Sequence, residues 1–150
     1  MDRSAEVRRL CVVVTGTRTE RRNADVVQAL ETIYKRGRKV LLLAGCAEGV
    51  DSTALQFAKD HGWLFRKYEA DYHKWGRMMA PRIRNEAVMA HAGELLWRPE
   101  WDVIVLAFPW GVAKGTGHAK GLAEERGMRV IVFPARGLQY DDDEDEPPPA

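Results

Sequence analysis

The chain has 150 residues, 45% hydrophobic and 30% charged, with a formal net charge of +1. That length and composition suit one domain with an ordinary core and exclude low-complexity and collagen-like architectures. No apolar run approaches the roughly 18 residues of a membrane span, and the polar start Met1-Asp2-Arg3-Ser4-Ala5-Glu6 lacks the apolar core of a signal peptide, so no membrane partner and a cytoplasmic location are expected.

Residues 10–15, Leu-Cys-Val-Val-Val-Thr, form a continuous β-branched run of the kind buried inside a parallel sheet. They end in the glycine turn Thr15-Gly16-Thr17-Arg18, after which Asn23 is expected to cap a helix reaching about Arg36, with Gly37 as its stop. Residues 39–44 repeat the strand pattern and break at Gly45-Cys46-Ala47-Glu48-Gly49-Val50-Asp51, which leads into a second helix ending before Gly62. Residues 63–68 read as a third strand. An aromatic and basic stretch follows, from Tyr72 to Ala80, and Pro81 is expected to open a helix reaching about Ala92. On that helix Arg82 and Asn85 share a face, while Arg84 points about 200° from Arg82, so all three cannot converge on one ligand. After a connector over residues 94–101, residues 102–108 form strand four. The turn 109–115 then leads to a helix from about Thr116 to Arg126, and residues 129–133 form strand five.

Five strands alternating with four helices predict a single α/β domain: a Rossmann-like, doubly wound parallel sheet of about five buried strands with helices on both faces. The domain is expected over residues 1–137. The remainder, 138–150, holds the acidic run Asp141–Glu146 and three prolines and is expected to be a disordered tail. Without that run the body carries 23 basic against 16 acidic side chains, a net +7 that suits an anionic partner. Cys11 and Cys46 have neither metal-ligand spacing nor a disulfide framework and read as reduced thiols. The four histidines, His61, His73, His91 and His118, are scattered, so no metal site and no cofactor are expected.

In a doubly wound sheet, ligands sit beyond the strands' C-terminal ends. Four clusters fall at that edge: Thr15 to Arg18, Gly45 to Asp51, Arg82 to Asn85, and Pro109 to Thr116. The last runs from an apolar strand through a glycine-rich turn into a helix, which presents backbone N–H groups to an anion. The chain lacks the G-x-G-x-x-G fingerprint and the G-x-x-x-x-G-K-[ST] loop, so neither an ordinary dinucleotide domain nor a P-loop NTPase is supported, and it has no G-x-S-x-G elbow. Asp51 either contacts a ribose or caps the second helix. Arg18 beside its glycine turn suits a phosphate or carboxylate. Trp110 either stacks on a base or shields the turn, and His118 is either a ligand contact or a first-turn helix residue. Tyr72, Trp75, Arg77, Arg82 and Arg84 in one segment keep single-stranded nucleic acid as an alternative partner.

Val14-Thr15-Gly16-Thr17-Arg18, Gly45-Cys46-Ala47-Glu48-Gly49-Val50-Asp51, Glu69-Ala70-Asp71, Gly76, Arg84-Asn85 and Ala107-Phe108-Pro109-Trp110-Gly111 with Gly115-Thr116 resemble the YspA-like, cpYpsA-related branch of the SLOG superfamily. The likeness spans about residues 10–134. It implies a Rossmann-like domain that binds nucleotides or nucleotide-derived molecules, as a homodimer or higher oligomer. The ligand-binding set it implies is Thr15, Gly16, Thr17, Arg18, Gly45, Cys46, Ala47, Asp51, Arg84, Asn85, Pro109, Trp110, Gly111, Gly115, Thr116 and Gly117. Related lonely-guy phosphoribohydrolases cleave nucleoside monophosphates with a P-G-G-x-G-T-x-x-E motif and a helix arginine; the DNA-processing protein A family binds single-stranded DNA. Arg84 matches the helix arginine, but the glutamate position falls on Ala119. An N-glycosidase would therefore need Asp51 or another carboxylate in its place, with Arg84 and Asp51 as catalytic candidates. Binding is the expected function, and catalysis the alternative.

Overall fold

A computed structural model describes residues 8–110 and 114–134, without the side chains of 114–116. Gly111, the tail 138–150 and the boundary at residue 137 lie outside the described residues. The elements are β1 (Arg9–Gly16), a 3-10 turn (Glu20–Arg22), α1 (Asn23–Lys35), β2 (Val40–Gly45), α2 (Val50–Asp60), β3 (Leu64–Tyr68), α3 (Tyr72–Leu96), β4 (Trp101–Phe108), α4 (Lys114–Glu125) and β5 (Arg129–Val132). The five strands form one sheet in the order β3-β2-β1-β4-β5, with every pairing parallel.

Alternation along β1 builds two cores at once. Leu10, Val12 and Val14 face α1 and α2, where they meet Val26, Leu30, Val50, Ala54 and Phe57. Cys11 and Val13 face the other way, into Val88, Met89 and Ala92 of α3 and Ala119 and Ala123 of α4. The first two crossover helices thus cover one face and the last two the other, so strand order reverses between β1 and β4. Their C-terminal ends meet in register, Thr15 beside Ala107 and Gly16 beside Phe108. This is the switch point at which doubly wound sheets hold ligands.

The structure departs from the sequence expectations at three places. The third helix begins at Tyr72, well before Pro81, and continues through Gly93 to Leu96; its first turn is set off by Gly76, whose backbone (φ 82°, ψ 173°) is not helical. Asp71 caps that turn by accepting the Lys74 N–H at 3.0 Å. Asn23 does not cap α1. The chain is already wound by the preceding 3-10 turn, Arg22 occupies the N-cap without a side-chain capping bond, and Asn23 Oδ1 is a buried acceptor with no hydrogen-bond partner among the described residues. Finally, only β1, β2 and β4 are buried strands: β3 is an edge, with Leu64 68% and Phe65 41% exposed, and β5 is the other edge. Four helices cover the middle of a five-stranded sheet but not its margins. No described helix is long and apolar enough to cross a membrane.

Candidate functional site

The turn after β1 is locked from both sides by backbone bonds. Thr17 N–H donates to the Phe108 carbonyl at 3.1 Å, and the Thr17 carbonyl accepts from Val50 N–H at 3.1 Å. A side chain at Gly16 has no space, because a Cβ there would lie 2.6 Å from the Phe108 carbonyl and under 3 Å from both Val50 methyls. Thr17 is buried, and its hydroxyl accepts from the Thr19 N–H, closing the turn on itself. Gly49 completes the joint between the turns, with φ at 78° and a Cβ position within 2.5 Å of the Arg18–Thr19 backbone.

The end of β2 brings opposite charges together. Asp51 Oδ2 lies 2.8 Å from where a Cβ of Gly45 would sit, and Arg84 Nη1 from α3 crowds the same position. Gly45 is therefore the gap through which the second strand's turn and the third helix meet. Asp51 is buried and accepts the Ala47 N–H at 3.3 Å, so it closes the turn before α2 rather than taking the N-cap, which is Gly49. Burial pushes its carboxyl up to about 6, against the pull of Arg84, the Ala47 N–H and Arg18. Next along α3, Asn85 is buried; its Oδ1 accepts from Arg84 Nε at 3.1 Å, and its Nδ2 faces His118 Nδ1 of α4 at 3.2 Å.

Two further cations border the edge. Arg18 is exposed and donates from Nη2 to the Tyr72 hydroxyl at 3.1 Å, tying the first turn to the start of α3. The Arg21 guanidinium stacks 4.6 Å from the Trp110 ring centroid. Pro109 is positioned by Arg22, whose Nη1 donates to its carbonyl at 2.7 Å while Nε pairs with Asp25 at 2.8 Å.

Of the expected ligand residues, Thr15, Gly16, Thr17, Gly45, Ala47, Asp51, Arg84, Asn85, Pro109 and Trp110 fall at or beside the C-terminal edge of β1, β2 and β4. Cys46 is exposed at the tip of the second turn. Gly115 and Thr116 lie in the first turn of α4, and Gly117 is exposed there with no atom within 4 Å of an added Cβ. Arg82 is exposed and apart from the Arg84–Asn85 pair. His61 ends α2, stacked on Phe57 with ring centroids 3.7 Å apart, and His91 bonds the Tyr68 hydroxyl. The residue that sequence reading missed is Arg22, which sits 2% exposed under the Phe108 ring inside what looks like a polar surface run.

Residues 10–75 match the YAcAr family, the YspA, cpYpsA-related SLOG family. The matched stretch contains both locked turns, the buried Asp51 and the start of α3. Among solved structures, the chain is similar to MurG of Acinetobacter baumannii, at 15% identity and a TM-score of 0.49, over 84% of this chain and 35% of that one. It spans about a third of the MurG chain. A second is the dodecameric FMN-dependent UbiX-like decarboxylase of Escherichia coli O157:H7, at 12% identity and a TM-score of 0.35, over 90% of this chain and 87% of that one. No curated protein matches the sequence.

Proposed function

We propose that this SLOG domain binds a nucleotide, or a phosphorylated molecule derived from one, at the C-terminal edge of the sheet. The observation that carries the reading is the meeting of Arg84 and Asp51 over the bare Cα of Gly45, beside the switch point between β1 and β4. A cation, a hydrogen-bonding carboxyl and glycine turns are the complementary chemistry for a phosphoribosyl group. In this reading Arg18 and Arg84 attract the phosphate, the backbone of Thr15 to Thr17 and of Pro109, Gly111, Gly115 and Gly117 holds it together with the backbone and hydroxyl of Thr116, and Asp51 takes the ribose. Cys46, Ala47, Asn85 and Trp110 line the remainder, and the protein works in the cytoplasm as a homodimer or larger oligomer. Calorimetry against a panel of nucleotides tests it: binding should weaken on Arg18→Ala and Thr116→Ala, and a panel without any binder would overturn it.

A second reading, N-glycosidic cleavage of a nucleoside monophosphate, is favoured by one observation: Asp51 is a buried carboxyl with a raised pKa beside an arginine. Against the phosphoribohydrolase pattern, Ala119 lacks a carboxylate and is buried in the core between α3 and α4. Release of free base from nucleoside monophosphates, abolished by Asp51→Ala, is the expected result for an enzyme; no release at high protein concentration leaves a binding module.

A further inference from the structure

The Arg84–Asn85–His118 chain fixes where a proton sits. Arg84 Nε always carries hydrogen, so the Asn85 atom 3.1 Å from it is the carbonyl Oδ1. That orientation turns Asn85 Nδ2, a donor only, toward His118 Nδ1 at 3.2 Å. His118 Nδ1 must then offer its lone pair, which leaves the ring hydrogen on Nε2. Turning the amide over would set N–H against N–H at Arg84, and a hydrogen on Nδ1 would do the same at Asn85.

Asn85 is 8% exposed with both polar ends used, whereas His118 is only half-buried, and no described residue hydrogen-bonds its Nε2. The chain of bonds starts at Arg84, which packs against Gly45 at the end of β2, and finishes on the helix that follows the switch-point turn. We infer that Arg84 and Asn85 hold His118 as a fixed Nε2–H donor to the bound anion, with Asn85 as its positioning residue. This rests on the nucleotide-binding reading above. It adds a neutral, directional donor that discriminates by geometry where Arg18 and Arg84 supply charge.

The test uses the full chain and AMP as the probe. With 15N-labelled histidine, two-bond proton–nitrogen correlation should show His118 with hydrogen on Nε2 and a bare Nδ1, and Asn85→Asp, which keeps an acceptor for Arg84 but offers no donor, should move the hydrogen to Nδ1. His118→Ala should weaken AMP binding about tenfold, as expected for a lost hydrogen bond to a charged group. His118→Gln, whose amide nitrogen takes the place of Nε2, should recover most of it. An Nδ1–H ring in the unaltered protein, or AMP binding unchanged in His118→Ala, overturns the inference and leaves the nucleotide reading standing. Failure of the unaltered protein to bind AMP overturns the donor role, and failure across the whole nucleotide panel removes the reading beneath it.

Discussion

Replacing Asp51 by Asn isolates the cost of a buried charge. Asp51 rises from 3.8 in the unfolded chain to about 6 in the fold, chiefly through burial and against the attraction of Arg84 and Arg18. The folded protein therefore holds this proton more tightly than the unfolded chain. The stabilisation from holding it is fully present below pH 3.8 and is lost as pH rises through about 6. Roughly two pKa units at ~1.4 kcal/mol each give about 3 kcal/mol. Asparagine stays neutral and can still accept the Ala47 N–H, so the stability of Asp51→Asn minus that of the unaltered protein should climb by most of this, roughly 2 kcal/mol, between pH 4 and pH 7. Urea denaturation of both proteins at one-unit pH steps reads it, and other titrating groups largely cancel in the difference. A difference that stays flat, or falls as pH rises, would refute the idea that desolvation outweighs the two arginines.

Glycine substitutions should separate stability from binding. Gly49→Ala forces a left-handed backbone on a residue that also overlaps the Arg18–Thr19 main chain, and should cost about 3 kcal/mol or prevent folding; at Gly45→Ala the nearest atoms are side-chain ends of Arg84 and Asp51, and the change should cost about 1 kcal/mol while weakening nucleotide binding more than stability. Arg22→Leu removes the guanidinium that holds Pro109, Asp25 and Phe108 and should cost roughly 2–4 kcal/mol by urea denaturation; a change under about 0.5 would mean that the buried bonds contribute little. In the native protein a maleimide should label Cys46, which is exposed, and spare Cys11, which is buried with its thiol pushed up to about 12; modification of both at similar rates would contradict the core assignment.

The fold was legible because its signals are local and repeated. Each strand of the middle of the sheet is a short, largely apolar run leading into a glycine turn, and Gly37, Gly62 and Gly127 each follow a helix with φ near +75°. What failed was also local. Pro81 looked like a helix start because proline suits a first position, yet the helix had begun before it, at a turn capped by Asp71 and separated by Gly76. Asn23 looked like a cap because the 3-10 turn before it has no period of its own. Burial of β3 and β5 could not be judged from apolar content, since an edge strand is defined by what lies beyond it.

At the candidate site, residue identity was readable and pairing was not. The glycine turns announce themselves by composition, but nothing in Gly45 says that an arginine 39 positions later needs its missing Cβ. Likewise Arg22 and Arg18 stand four residues apart in one basic run, yet one is buried holding Pro109 and the other is exposed on Tyr72. Helical angles put Arg82 with Asn85 on one face and Arg84 away from Arg82, yet it is Arg84 that bonds Asn85 while Arg82 is exposed, because such angles treat side chains as pointers of fixed length. Arginine is long enough for Arg84 to bond its own neighbour and still reach the second turn, which makes its role tertiary. The site therefore depends on the α3 register relative to β2: a shift of one residue would take Arg84 from Gly45 and Asn85 from His118 together, while leaving every turn motif in the sequence intact.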